Sequence, residues 1–92
     1  MSVQKRLNLV IIGKDQGVGY RYSVKLKAES LGIRGYVKNQ YDGSVFVTAQ
    51  GETPEVEKFV KWCYKGPPTA IVRGIEKISG TIETFHDFSI LY

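Results

Sequence analysis

Two kinds of apolar spacing alternate along this chain in an order that few folds can satisfy. Residues 7–12, Leu-Asn-Leu-Val-Ile-Ile, combine strand propensity with partial alternation and end at Gly13. Tyr20, Val24, Ala28 and Leu31 then fall four, four and three apart, one stripe of an amphipathic helix over residues 20–31 that Gly32 is placed to end. Residues 33–38 and 44–50 return to strand character, the second with Val45, Val47 and Ala49 on one face. Asn39-Gln40-Tyr41-Asp42-Gly43 joins them tightly, and its Asp-Gly step supplies turn chemistry, so the two strands are expected to form a hairpin. A second helix has the clearest signals. Thr53 suits the N-cap, Pro54 the first helical position, and Glu55 and Glu57 the positive end of the dipole. Val56, Phe59, Val60 and Cys63 recur at i, i+3, i+4 and i+7 before Gly66-Pro67-Pro68 stops the helix. Residues 70–78 and 85–92 read as two more strands, the last with Phe88, Ile90 and Tyr92 alternating inward.

The order is therefore strand, helix, strand, strand, helix, strand, with one extra terminal strand. Right-handed strand–helix–strand crossovers place both helices on one face of an antiparallel sheet. That is an α+β, ferredoxin-like two-layer sandwich. The 92 residues are expected to make one domain, 1–92, which buries roughly two-thirds of its unfolded surface without metal or disulfide. The sequence shows no repeat, low-complexity segment or linker. Cys63 is the only cysteine and has no partner for an internal disulfide. With no signal peptide or membrane span in view, the expected address is the cytoplasm. Lys and Arg total 13 against 9 Asp and Glu, a net charge of +4, but they form no tract. A solvated surface explains them better than a nucleic-acid footprint. The fold itself hosts sensors, RNA binders and enzymes, so function has to come from particular residues.

The most informative stretch is Gly13-Lys14-Asp15-Gln16-Gly17-Val18-Gly19-Tyr20-Arg21, between the first strand and the first helix. Glycines with small neighbours let successive backbone N–H groups point into one concavity, and a helix N-terminus adds positive potential. The combination is an anion nest. Arg21, in the first helical turn, is placed to reach back and grip two phosphate oxygens. The stretch lacks both the Gly-Lys-Ser/Thr of a nucleotide P-loop and the dinucleotide Gly-x-Gly-x-x-Gly spacing. Taken alone, such a loop is as readily a tight turn beside a solvated arginine.

Gly13-x-x-Gln16-Gly17-Val18-x-Tyr20-Arg21 resembles the first signature of the acylphosphatases. Gly35-Tyr36-Val37-Lys38-Asn39, followed by Gly43, Val45 and Gly51, resembles the second at the family's spacing. The second helix, the Gly66-Pro67 stop and the closing Phe88-Ser89-Ile90-Leu91-Tyr92 are also similar, so the resemblance covers nearly the whole chain. It implies that Arg21 binds the phosphate, that Asn39 orients the attacking water, and that the backbone of Gln16, Gly17, Val18, Gly19 and Tyr20 forms the cradle. It further implies a monomer that needs no cofactor or metal, acting on a small acyl phosphate, with inorganic phosphate as product and inhibitor. One position departs from the pattern. Asp15 stands where the family usually has an apolar residue, often valine, and a carboxylate there is expected to weaken phosphate binding by repulsion.

Acyl-phosphate chemistry suits this composition. The leaving group is a carboxylate, which departs without a proton from a general acid, so no His/Asp pair or carboxylate dyad is required. What remains is charge neutralisation and in-line placement of water, which one arginine, a nest and one amide supply. His86 is a lone histidine without a second metal ligand nearby, and Cys63 on the helical stripe reads as a core residue. Tyr20, Tyr36 and Tyr41 lack the accompanying motif of an RNA-recognition domain and are assigned to packing. Two alternatives stand beside acyl-phosphate hydrolysis. One is a weakly active or non-catalytic phosphate-binding module, favoured by Asp15. The other is a carbamoyl-phosphate-handling module of the kind that begins larger hydrogenase-maturation proteins, disfavoured by the absence of following zinc-finger cysteines.

Overall fold

A computed structural model of the chain describes residues 3–14, 18–68 and 70–92. The elements are β1 (Gln4–Lys14), α1 (Val18–Ser30), β2 (Arg34–Asn39), β3 (Val45–Glu52), α2 (Thr53–Lys65), β4 (Ile71–Gly80) and β5 (Phe88–Leu91). They form one sheet in the order β4-β1-β3-β2-β5. β1 is antiparallel to both β3 and β4, and β2 is antiparallel to β3. Each helix therefore crosses over one intervening strand: α1 carries the chain from β1 past β3 to β2, and α2 from β3 past β1 to β4. The two crossovers interlock, which gives the expected ferredoxin-like sandwich.

The core lies between the sheet and the helices, where the strand and helix periodicities meet. Leu7, Leu9 and Ile11 of β1 and Val45, Val47 and Ala49 of β3 face Val24 and Ala28 of α1 and Val56, Phe59, Val60 and Cys63 of α2. Val37 and Phe88 complete the layer, with the Phe88 ring edge-on to Phe59 at a centroid distance of 6.3 Å. Trp62 packs against this core from the margin, half-buried.

Four details differ from the sequence reading. The sheet is mixed rather than antiparallel, because β5 runs parallel to β2. The connection explains this. β4 ends beside Arg6, at the end of the sheet where β2 begins, and residues 81–87 stay at that end. There Gln50 exchanges two hydrogen bonds with the Glu83 backbone (2.7 and 2.9 Å), and Arg34 donates to the Phe85 carbonyl (3.3 Å). A strand starting from that end must run alongside β2 in the same direction. Tyr92, expected to point inward, lies beyond β5 and is 94% exposed. α1 begins at Val18 rather than Tyr20. Finally, Glu52 rather than Thr53 caps α2: the Thr53 N–H and hydroxyl both donate to the Val3 carbonyl at 2.9 Å, tying the helix start to the approach to β1.

Candidate active site

The interlocked crossovers bring several chain reversals to one end of the sheet. β1 ends there at Lys14, opposite Ile71 of β4, and β2 ends there at Asn39, opposite Val45 of β3. Two glycines allow the backbones to approach. A Cβ at Gly13, where φ is +157° and the β1–β4 register shifts, would overlap the carbonyl oxygen of Ile71. One at Gly35, near the opposite end of β2, would overlap that of Thr48. Tyr20 is buried at the Gly13 end, its ring 3.4 Å from where a Cβ on Gly66 would stand. The stop of α2 thus seats the first turn of α1.

The next residue of that turn is Arg21. Although it carries a full charge, it is only 7% exposed. Its Nε is buried without a hydrogen-bond partner, and no acidic side chain among the described residues forms an ion pair with it. Its nearest cation–aromatic contact is the ring of Tyr92, whose centroid lies 5.3 Å from the guanidinium carbon. An exposed contact of that kind contributes about 0.5–1 kcal/mol, well short of the several kcal/mol that withdrawing a charge from water costs. The N–H groups of the first turn of α1, which begins at Val18, have no acceptors within the helix. Nothing lies within 4 Å of where a Cβ on Gly19 would stand, so packing does not call for glycine there. A side chain at that point would instead screen the helix start from a ligand. Charge, the positive end of a helix and open approach together describe a candidate anion site.

Asn39 is exposed at the end of β2, and its side chain makes no hydrogen bond among the described residues. It borders an open depression lined also by Lys38, Gln40, Tyr41 and Asp42. β5 connects it to Arg21. Lys38 pairs with Leu91 at the end of the parallel ladder, and the next residues of the two segments are Asn39 and Tyr92. Tyr92 in turn carries the ring over which Arg21 sits. The two residues singled out in the sequence thus flank the same strand end. Gln16 and Gly17 of the expected cradle, and Asp15, lie outside the described residues.

The sequence profile of the acylphosphatase family matches residues 7–90. The chain belongs to the acylphosphatase family. An acylphosphatase of Acaryochloris marina is 46% identical over 85 residues, covering 92% of this chain and 91% of the relative. One of Archaeoglobus fulgidus is 43% identical over 86 residues, covering 94% and 97%. The crystal structure of the Bacillus subtilis acylphosphatase superposes with a TM-score of 0.91 at 34% identity, covering 96% of this chain and 99% of that one. As a member of this family, the chain is an enzyme that hydrolyses acyl phosphates.

Within an acylphosphatase framework, the remaining reactive groups take supporting places. Burial pushes the Cys63 thiol well above the ordinary range and keeps it protonated in the core, where it packs rather than reacts. His86 is exposed on the connection to β5. Among the described residues, no three His, Cys, Asp or Glu side chains gather to hold a metal ion, and no helix is long and apolar enough to cross a membrane. Two features of this end went unread in the sequence. Tyr92 against Arg21 left no signal, since alternation had assigned it inward. The hairpin tip, where Asp42 Oδ1 accepts from the N–H and hydroxyl of Ser44, did leave one, an Asp two residues before a Ser, the pattern of an Asx-turn.

Proposed function

We propose that Arg21 and the N–H groups at the start of α1 hold the phosphoryl group of an acyl phosphate while Asn39 positions the attacking water. The observation that carries this reading is Arg21, 7% exposed and with its buried Nε lacking a hydrogen-bond partner. A dianionic phosphoryl group supplies the hydrogen-bond acceptors and countercharge it lacks. Water held by the Asn39 amide attacks phosphorus in line. The bond from phosphorus to the acyl oxygen breaks, its electron pair leaves with the carboxylate, and a proton of the water passes to the phosphate or to solvent. Carboxylic acids ionise near roughly pH 4, so the leaving group needs no proton at neutral pH. Catalysis then rests on placement and on stabilising charge at the phosphoryl oxygens.

Inorganic phosphate, the product, should occupy the same site and inhibit, and we read the protein as a cytoplasmic monomer. Asp15 favours a second reading, in which phosphate binds and turnover is weak. Steady-state hydrolysis of acetyl phosphate, with phosphate as inhibitor, separates them. The catalytic reading expects Asn39→Ala to lose about a hundredfold in kcat while the phosphate inhibition constant stays within about twofold. It also expects Arg21→Lys to lose phosphate affinity, because lysine keeps the charge without the paired donors. Phosphate inhibition or binding without turnover in the wild-type protein would leave only the second reading. An undiminished kcat in Asn39→Ala would remove Asn39 from the mechanism.

A further inference from the structure

The hairpin tip after Asn39 is more closely bonded than a turn needs to be. Asp42 Oδ1 accepts from both the N–H (2.9 Å) and the hydroxyl (2.6 Å) of Ser44. The same hydroxyl accepts from Gln40 Nε2 at 2.9 Å, and the Ser44 carbonyl accepts from the Gln40 N–H at 2.9 Å. The Gly43 N–H closes the turn onto the Gln40 carbonyl at 3.1 Å. Gln40 is thus held through its N–H, its carbonyl and its side chain, and Ser44, buried at 7% exposure, is the hub. On the other side, Asn39 is the last residue of β2 paired with β3, opposite Val45.

Asn39 itself has no side-chain hydrogen bond among the described residues. Its amide is aimed by the backbone on which it stands, and that backbone is clamped by the ladder on one side and by Gln40 on the other. We propose that Asp42 is a positioning residue for the reaction: through Ser44 and Gln40 it fixes the backbone from which Asn39 presents its amide to the water. The β2–β3 ladder holds the hairpin without help from an exposed carboxylate. The bonds of Asp42 therefore bear on the aim of Asn39 more than on the stability of the fold. This proposal rests on Asn39 orienting the water.

Asp42→Ala, Asp42→Asn, Ser44→Ala, Asn39→Ala and the Asn39→Ala/Asp42→Ala double variant would be compared for kcat on acetyl phosphate, phosphate inhibition and melting temperature. A misaimed water is expected to lower kcat about tenfold in Asp42→Ala and Ser44→Ala, with phosphate inhibition within about twofold and melting within a few degrees. Asp42→Asn keeps an acceptor oxygen and is expected to recover most of the loss. In the Asn39→Ala background, Asp42→Ala should cost nothing further, because there is no amide left to aim. An unchanged kcat in Asp42→Ala, a kcat loss that persists undiminished without Asn39, or a matching loss of phosphate affinity each overturns the proposal. If Asn39→Ala is itself fully active, the reading beneath it fails instead, a result distinct from all of these.

Discussion

Two arginines stand at opposite ends of the same sheet, and both are largely withdrawn from solvent. Arg6, near the start of β1, has a side chain only 12% exposed. It donates to the Thr81 carbonyl (2.5 Å), Asn8 Oδ1 (3.0 Å) and Thr48 Oγ1 (3.0 Å), and pairs with Glu83 at 2.9 Å. Every edge of its guanidinium is engaged by the chain. Arg21, at the other end, has a buried Nε with no acceptor and sits over the ring of Tyr92. Burial alone therefore does not separate the two. What separates them is internal satisfaction, and on the proposed reading a bound phosphoryl group would supply what Arg21 lacks.

The sharpest way to break this contrast is to replace each arginine with methionine. Arg21→Met is expected to lose turnover by about a thousandfold or more while melting at or above the wild-type temperature, since an unpartnered buried charge has been removed. Arg6→Met is expected to do the reverse. It should lose about 2 kcal/mol in chemical denaturation, yet keep kcat within about twofold in the folded fraction. If both variants destabilise equally, Arg21 is structural and the contrast fails.

Ligand linkage sharpens the same point. Phosphate at about a hundred times its dissociation constant should stabilise the wild-type protein, and Arg6→Met alike, by about 2.7 kcal/mol. Arg21→Met should show almost none of that shift. Scanning calorimetry with and without phosphate reads this directly. The smallest effect belongs to Glu83→Gln. Its side chain is half exposed at 53%, so the ion pair with Arg6 should be worth at most about 0.5 kcal/mol, and less as salt rises. A loss as large as that of Arg6→Met would mean that the pair, rather than the bonds to Asn8, Thr48 and Thr81, holds Arg6.

At the hairpin tip the pH dependence follows from the bonds of Ser44. Its hydroxyl first, and then its N–H, hold the Asp42 carboxyl below the usual carboxylate range. The folded state thus favours the ionised form. The contribution is fully present above the unfolded value, roughly 3.9, and is lost as pH falls through the lowered folded one. Asp42 is fully exposed, so the effect on melting between pH 5 and pH 2, measured against Asp42→Asn, should be slight. A wild-type advantage that grows with acidity would contradict the bonding described.

The interlocked order of strands and helices was legible because each element announces its own period: Leu7, Leu9 and Ile11 alternate, and Val56, Phe59, Val60 and Cys63 repeat along a helix. The direction of β5 was not. It depends on where residues 81–87 run, and that is settled by Arg6, Arg34 and Gln50, far away in the sequence. Arg21 and Asn39 are singled out by two motifs in register, and the two flank the same strand end. The burial of Arg21 could not be read that way, because it follows from the packing of α1 against β5 and the residue beyond it. The start of α1 was read late, since valine and glycine at positions 18 and 19 are weak helix formers whose place is set by tertiary contacts.

The parallel pairing of β5 also imposes a timetable. Leu91 pairs beside Lys38, and the ring of Tyr92 reaches Arg21, so that end of the sheet draws together residues from nearly the whole length of the chain. Closing so long a loop is entropically demanding, and contacts of that span form late in folding. During synthesis, β1, α1 and β2 emerge long before their last neighbour does. A nascent chain lacking residues 88–92 would carry both Arg21 and Asn39 yet leave the strand that joins them unbuilt, so the proposed site would be assembled only when the final few residues have docked.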